Sequence, residues 1–464
     1  MVKVFRRALA ALLIVASLLT AAIVGAEIKT YTGVGRYVMS DFENQDIAKK
    51  RALQRAKESA RKQAGVYLTT YSRSVNFRLT DDDISAVTNN ITNIVGEVRY
   101  ERKTATVDGL PVVIWTATLE ANVDTDGLVD YIKRDDKDKV TIVRQNNSLQ
   151  EAIAKNDAQV ADLKEQYKRA TTQAERDRIR KQLNDTDRDF LANEKLEEGL
   201  ALYYAKDYNG AIKLYDEALQ LKPDWHWAYN NRGNAYSYLE QYEQAIKDFN
   251  KAIELNPNWE YPYNNLGTVY GRLGQYERAI QDLNKAIELN PNFADAYTNR
   301  GNAYDNLGQY ERAIQDFNKA IALKPDFASA YNNRGVTYMN GLKQYERAIK
   351  DFNKAIELNS EYDHAYNNRG FAYDKQGQYE RAIQDYDKAI ALNPNLVEAY
   401  NNRGIAYALM GNFKQAIADA TKAIELNPNY TNAYQLRGIC YRELGNMKKA
   451  RADFAKAKAL GYKG

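Results

Sequence analysis

The side chains that most often carry out chemistry are scarce in this sequence. Among 464 residues there are two histidines, His226 and His364, and one cysteine, Cys440. Two distant imidazoles do not make the His-rich shells of zinc sites. A lone thiol allows no internal disulfide and has no histidine at a useful spacing. Asp185, Asp187 and Asp189 imitate the start of a calcium loop, but the glycine is missing and Leu196 stands where the closing glutamate belongs. They read instead as caps for a following helix. Gly33-Val34-Gly35 lacks a third glycine and precedes no phosphate-binding turn, so it is a strand feature. No catalytic residue, metal, cofactor or small-molecule substrate is implied, and an enzyme is the least supported class.

Side chains suited to recognition are abundant, and they are periodic. Arg232, Arg300, Arg334, Arg369, Arg403 and Arg437 each precede a glycine, and each is followed by an aspartate: Asp248, Asp316, Asp351, Asp385, Asp419 and Asp453. Across an antiparallel helix pair the two would meet, and a partly buried guanidinium prefers a carboxylate. Internal pairing is therefore favoured over a basic row that grips a ligand. Leu266 with Asp282 breaks the pattern once. One residue before each of those sites runs an asparagine row: Asn231, Asn265, Asn299, Asn333, Asn368 and Asn402. An amide donates and accepts at once, which suits an extended peptide. It also simply solvates an early helical turn at little cost.

These rows require a repeated scaffold. Glycine recurs at 199, 233, 267, 301, 335, 370, 404 and 438, every step being 34 residues except one of 35, where an extra residue falls in Met339–Gln344. Alanines follow each glycine at fixed offsets, from Ala211 and Ala218 to Ala450 and Ala457, and prolines such as Pro257 and Pro291 close most units. Glycine on one helix and alanine on the next let backbones approach, and the proline resets the chain for the next pair. A single helical hairpin cannot bury its apolar face, so the units must stack. Cys440 takes a slot filled by Ala235 and Ala303 elsewhere and is expected to be a packed thiol.

These residues and spacings closely resemble the tetratricopeptide repeat (TPR) over residues 191–464, eight units, with Tyr replacing the usual Trp near each start. The resemblance implies a mainly α fold, a right-handed α-solenoid that binds protein or peptide. In that family the asparagine position lines the concave face. A ladder there resembles the one in a glycosyltransferase superhelix that grips polypeptides by their backbone. Three residues beyond each ladder position stand Asn234, Thr268, Asn302, Val336, Phe371, Ile405 and Ile439, polar at first and apolar later. They read as a groove that hydrogen-bonds a backbone early and takes an apolar anchor late, with Met339 and Leu409 enlarging the apolar patch. Packing of the apolar four on the neighbouring unit is the competing reading.

The rest of the chain is of three kinds. Residues 1–26 read as a signal peptide: Lys3, Arg6 and Arg7, an apolar run Ala8–Val24, then Val24-Gly25-Ala26 before Glu27. If it stays uncleaved it is a membrane anchor. Without those three cations the 65 basic residues come within one of the 61 acidic, which leaves no basic field for nucleic acid. Residues 27–135 read as a small α+β domain. Its strand is Lys29–Met39, with Gly33 and Gly35 weakening it or marking a bulge. A helix spans Asp46–Tyr71 with alanines every fourth residue, and a second short helix spans Ser85–Ile94 behind Asp81-Asp82-Asp83. Strands Glu97–Val107 and Val112–Asn122 are joined by a hairpin at Asp108-Gly109-Leu110-Pro111. This order resembles the N-terminal domain of some bacterial envelope lipoproteins and of a flagellar T-ring protein, without their lipidated cysteine. Residues 136–190 read as a helical spacer. Leu149, Ile153, Val160, Leu163, Tyr167, Ala170 and Ala174 form a short coiled-coil seam, with Asn156 at its polar position. Thr172-Gln173-Ala174-Glu175 is a capping box that restarts a helix. The seam serves either self-association or packing on its own chain.

The function expected is that of an exported, periplasmic or cell-envelope scaffold that binds a protein or extended peptide in its groove. The alternative makes the N-terminal domain a docking or oligomerisation module, with the array as its spacer.

Overall fold

The computed structural model describes residues 29–40, 43–74, 92–107, 110–123 and 136–462. The segment read as a signal peptide lies outside them, and the chain divides into two compact units, Met1–Leu255 and Asn256–Gly464.

The first unit opens with β1 (Lys29–Met39), α1 (Gln45–Ser74), β2 (Thr92–Val107) and β3 (Leu110–Val123). The strands form an antiparallel sheet in the order β1-β3-β2. Alternation decides its faces: Tyr37, Met39, Trp115, Ala117, Leu119 and Ala121 are buried under α1. Ala48, Ala52, Ala56, Ala60 and Ala64, at most 1% exposed, give α1 a smooth face against them. Gly33 and Gly35 mark where that face presses. A Cβ on Gly33 would stand 2.1 Å from the Ala56 carbonyl oxygen, and one on Gly35 2.2 Å from that of Ala52. They mark no bulge, because β1 pairs with β3 without interruption from Lys29↔Val123 to Met39↔Val113. The sheet's irregularity falls in β2, between Val95 and Arg99. Thr92–Ile94, read as the end of a second helix, belong to β2, where Ile94 pairs with Ala121. The rest of that proposed helix and the Asp108-Gly109 turn lie outside the described residues.

Two long helices follow, α2 (Asp136–Arg169) and α3 (Gln173–Tyr204). The capping box forms: Glu175 N–H donates to Thr172 Oγ1 at 3.2 Å, and Thr172 N–H to the Glu175 carboxylate at 3.2 Å. The spacer's seam is filled by its own chain. Val160, Leu163 and Ala170 pack with Ile179 and Leu183 of α3, while Leu149 and Ile153 join Leu196 and Leu200. Ala174 is exposed, because the chain breaks at residues 170–172 and restarts out of phase with the heptad count. α3 runs without a break through residue 190 into the first repeat.

Arg51 of α1 ties these layers together. It is 1% exposed, donates to Asp157 at 2.9 Å, Asn156 at 2.9 Å and Asp187 at 3.1 Å, and stacks on Phe190 with 4.4 Å to the ring centre. Asn156, the polar seam residue, also donates to the Thr186 carbonyl at 2.7 Å. Around this hub Lys164 pairs with Glu43 at 2.7 Å, and Lys50 and Arg61 of α1 pair with Glu194 and Glu197 of α3. Asp185, Asp187 and Asp189 are therefore no helix cap. They lie inside α3 and pair with Arg188, Arg51 and Lys222.

The repeats follow as helix pairs. Repeat 1 joins the end of α3 to α4 (Tyr208–Leu221), and repeat 2, the last of the first unit, is α5 (His226–Tyr238) and α6 (Tyr242–Leu255). In the second unit repeat 3 is α7 (Glu260–Arg272) and α8 (Tyr276–Leu289), and repeat 4 is α9 (Ala294–Asn306) and α10 (Tyr310–Leu323). Repeat 5 is α11 (Ala328–Val336) and α12 (Tyr345–Leu358), and repeat 6 is α13 (Asp363–Lys375) and α14 (Tyr379–Leu392). Repeat 7 is α15 (Val397–Leu409) and α16 (Phe413–Leu426), and repeat 8 is α17 (Thr431–Glu443) and α18 (Met447–Ala459). Each hairpin but that of repeat 7 closes by an aromatic or aliphatic side chain of the second helix against the glycine of the first; at Gly404 the facing side chain is Leu436 of the next repeat. A Cβ on Gly301 would stand 2.7 Å from the Phe317 ring. The extra residue of repeat 5 is absorbed as a π-turn, Thr337–Gly341, which carries α11 on to its connection. Met339, within that turn, lies in the core at 3% exposure, so it does not enlarge a groove.

Candidate peptide-binding face

The arginine row is internal. In the second unit Arg300, Arg334, Arg369, Arg403 and Arg437 each make two parallel hydrogen bonds of 2.6–2.9 Å to Asp316, Asp351, Asp385, Asp419 and Asp453. Arg232 holds Asp248 in the same way in the first unit. The aspartates are nearly buried and the arginines about four-fifths covered. Burial alone would lower the Arg334 guanidinium, but its bond to Asp351 holds it above its ordinary value.

A third contact was not legible in the sequence. The remaining guanidinium nitrogen reaches the second helix of the preceding repeat: Arg300 to Asn284 at 2.6 Å, Arg369 to Asn353 at 2.7 Å, Arg437 to Thr421 at 3.2 Å. Each arginine thus fastens two repeats. The acceptors recur two residues after each aspartate, so the period was visible, but their partner lies one repeat away.

Leu266 removes the arginine in repeat 3, and burial pushes the Asp282 carboxyl up to about 6. A carboxyl raised in the folded state favours folding most when protonated. That contribution is complete below about pH 3.9, its unfolded value, and is lost as pH rises through about 6. Asp282→Asn is therefore expected to stabilise the protein at pH 8 by roughly 1–3 kcal/mol and to change nothing at pH 4. Thermal melts of both proteins across that range check it; an equal shift at both pH values would contradict it.

The asparagine ladder is also largely spent inside the chain. Successive first helices lie against one another, α7 on α9 and α15 on α17. Asn299 donates to Asn264 Oδ1 at 2.9 Å and Thr268 Oγ1 at 3.2 Å. Asn368 donates to Asn332 at 3.0 Å and Asn402 to Asn367 at 3.2 Å. Asn333 turns to Asn302, at 3.0 Å, because Thr298 replaces the asparagine acceptor in repeat 4. Asn265 is partly buried, and Asn231, in the first unit, is 2% exposed and buried like the core. In Asn299, Asn333, Asn368 and Asn402 the donor half of the amide thus joins repeats. The buried asparagines just before the ladder went unread in sequence, although they share its period.

The third row is different. Asn234, in the first unit, and Thr268, Asn302, Val336, Phe371, Ile405 and Ile439, in the second, are all half-buried. Val336 and Phe371 lie beside Met339 and Phe352, and Ile405 beside Ala420 and Leu436. Lys375 sits over the Phe371 ring at 4.8 Å, and Leu409 is 57% exposed. Val336, Phe371 and Ile405 thus pack one flank on the core and leave the rest of the side chain open.

Cys440 is buried, its thiol pushed up to about 11 chiefly by burial. His226 is lowered by burial. Among the described residues no cluster of three His, Cys, Asp or Glu could hold a metal, and no helix is long and apolar enough to cross a membrane.

Stacked helix pairs sewn together by guanidinium and amide bonds define a repeat scaffold. Family models described as tetratricopeptide repeat match residues 226–258, 294–327 and 397–430, and 249–281 and 420–452. A model described as TPR repeat matches 199–239, 272–308, 342–377 and 373–411. The chain belongs to the tetratricopeptide repeat proteins, scaffolds that bind protein or peptide partners and are generally not enzymes. Residues 328–341, which hold the π-turn, fall between the matched segments. The resemblance proposed for the N-terminal domain gains no support from these models, which all lie within the array.

Similar solved structures include YrrB, titled a TPR protein with an unusual peptide-binding site, 28% identical over 40% of this chain and 96% of that one, TM-score 0.33. Another is PilW, a type IV pilus biogenesis factor, 24% identical over 43% and 92%, TM-score 0.41. A third is a TPR protein from Parabacteroides merdae, 24% identical over 51% and 94%, TM-score 0.42. No curated protein matches the chain.

Proposed function

We propose that this TPR scaffold binds an extended segment of a partner protein along the first helices of its repeats, and that it works outside the cytoplasm. One observation carries the binding site: a row that changes from Thr268 and Asn302 to Val336, Phe371, Ile405 and Ile439 stays half-open while the core beneath hardly changes. A contiguous apolar row left half-open is the kind of patch that marks a protein-binding surface. The polar members offer hydrogen bonds to a backbone, and the apolar members an anchor. Export is supported by Lys3, Arg6, Arg7, the apolar run and Val24-Gly25-Ala26.

Phe371→Ser with Ile405→Thr tests the site. Both changes leave a side chain on the packed flank and make the open flank polar. Partner recovered with the tagged full chain is expected to fall at least tenfold, with the melting temperature lowered by only a few degrees. Undiminished recovery would remove these residues from the site.

A further inference from the structure

Two buried acceptors in the first-helix layer have lost the donors that their counterparts keep. Asp305 of repeat 4 accepts from Thr337 Oγ1 of repeat 5 at 2.7 Å. Asp374 holds the same place in repeat 6, but Ala406 stands at the threonine position in repeat 7. Asp374 is 8% exposed, and its Oδ1 has no hydrogen-bond partner. The buried Tyr386 hydroxyl lies near enough to be influenced by it, yet makes no bond either. Lys375 leans over the Phe371 ring instead. The second acceptor arises in the same way. Asn264, Asn332 and Asn367 each receive the ladder asparagine of the next repeat, but Leu436 replaces that asparagine in repeat 8. Asn401, 3% exposed, is left with Oδ1 unmatched.

A buried acceptor without a donor costs about 1–3 kcal/mol, more when charged. Both fall where the open row is apolar, on the helices of Phe371 and Ile405. In repeat register they stand seven residues apart, about 10 Å along a helix and about three residues of an extended chain. The arginine row beside them is taken up by its own aspartates, and Lys375, the residue after Asp374, is turned to the Phe371 ring.

We infer that repeats 6 and 7 form a cation-accepting subsite, in which Asp374 takes a lysine or arginine side chain of the bound segment and Asn401 takes a nearby N–H. Phe371 and Ile405 then hold an adjacent apolar residue. This rests on the binding face proposed above and names the chemistry of its partner: a basic, apolar-flanked segment. Burial holds the Asp374 carboxyl above its ordinary range despite Lys375, the state that an incoming cation would relieve.

The test is fluorescence anisotropy on the full chain, using a labelled twelve-residue peptide alternating lysine and leucine. Companion peptides carry glutamine or glutamate in place of lysine. The lysine peptide is expected to bind at least tenfold more tightly than the glutamine one, and the glutamate peptide not at all. Asp374→Asn is expected to abolish the preference for lysine over glutamine without lowering the melting temperature. Equal binding of the lysine and glutamine peptides, or a preference that survives Asp374→Asn, overturns the subsite. Its failure is separable from that of the binding face. If lysine-peptide binding ignores Asp374→Asn but falls with Phe371→Ser and Ile405→Thr, the face stands and the subsite does not. If native partner recovery ignores the Phe371 and Ile405 changes, the face itself is refuted.

Discussion

Arg51→Ala is expected to lower stability by about 3–5 kcal/mol, the usual cost of leaving a buried carboxylate, here Asp187, without its cation. Its guanidinium joins Asp157, Asn156 and Asp187, on both helices of the α2–α3 hairpin, while its own helix carries the sheet. Burial already raises the Asp187 carboxyl, and Arg51 is the main influence holding it down. Without Arg51 that carboxyl takes a proton more readily, so the loss should be larger at pH 8 than at pH 5. Denaturant unfolding followed by circular dichroism at both pH values measures it. A loss below about 1 kcal/mol would mean that water replaces the arginine and that the hub is not what joins these layers.

The second large effect concerns the row that fastens repeats. Arg334→Ala removes two bonds to Asp351 and one to Asn318, leaving Asp351, 5% exposed, without a cation. A loss of about 2–4 kcal/mol is expected. Asp351→Ala should cost a similar amount, and the double variant clearly less than the two single losses added, with a coupling of about 1–3 kcal/mol. Additive losses would show that the pair does not act as a unit and would return the arginines to a role in ligand binding.

The repeat register, the hairpin turns and the Arg–Asp pairs could be read from spacing, because each depends on contacts within one 34-residue unit. The boundaries of β1 and the alanine face of α1 could be read for the same reason: period two and period four are local. What escaped was set by neighbours. Met339 counts as groove-facing when its helix is read alone and lies in the core, as Asp374 does at the same place in repeat 6. The ladder asparagines look free on a single helix and are tied down once the next repeat lies alongside. Asp187 resembles a cap in sequence and is a ligand of Arg51, 136 residues away. The glycines of β1 suggested a bulge because nothing in the strand itself announces the helix pressed on it.

The most direct test of the central claim, that the first helices hold the partner, is position-dependent photo-cross-linking in living cells. A photoreactive residue at Asn302 or Ile439, on the half-open row, is expected to capture the same partner at both positions. One at Lys319, exposed on the second helix of repeat 4, should capture nothing above background. Capture at Lys319 with none at Asn302 or Ile439 would place the partner on the opposite layer and contradict the account.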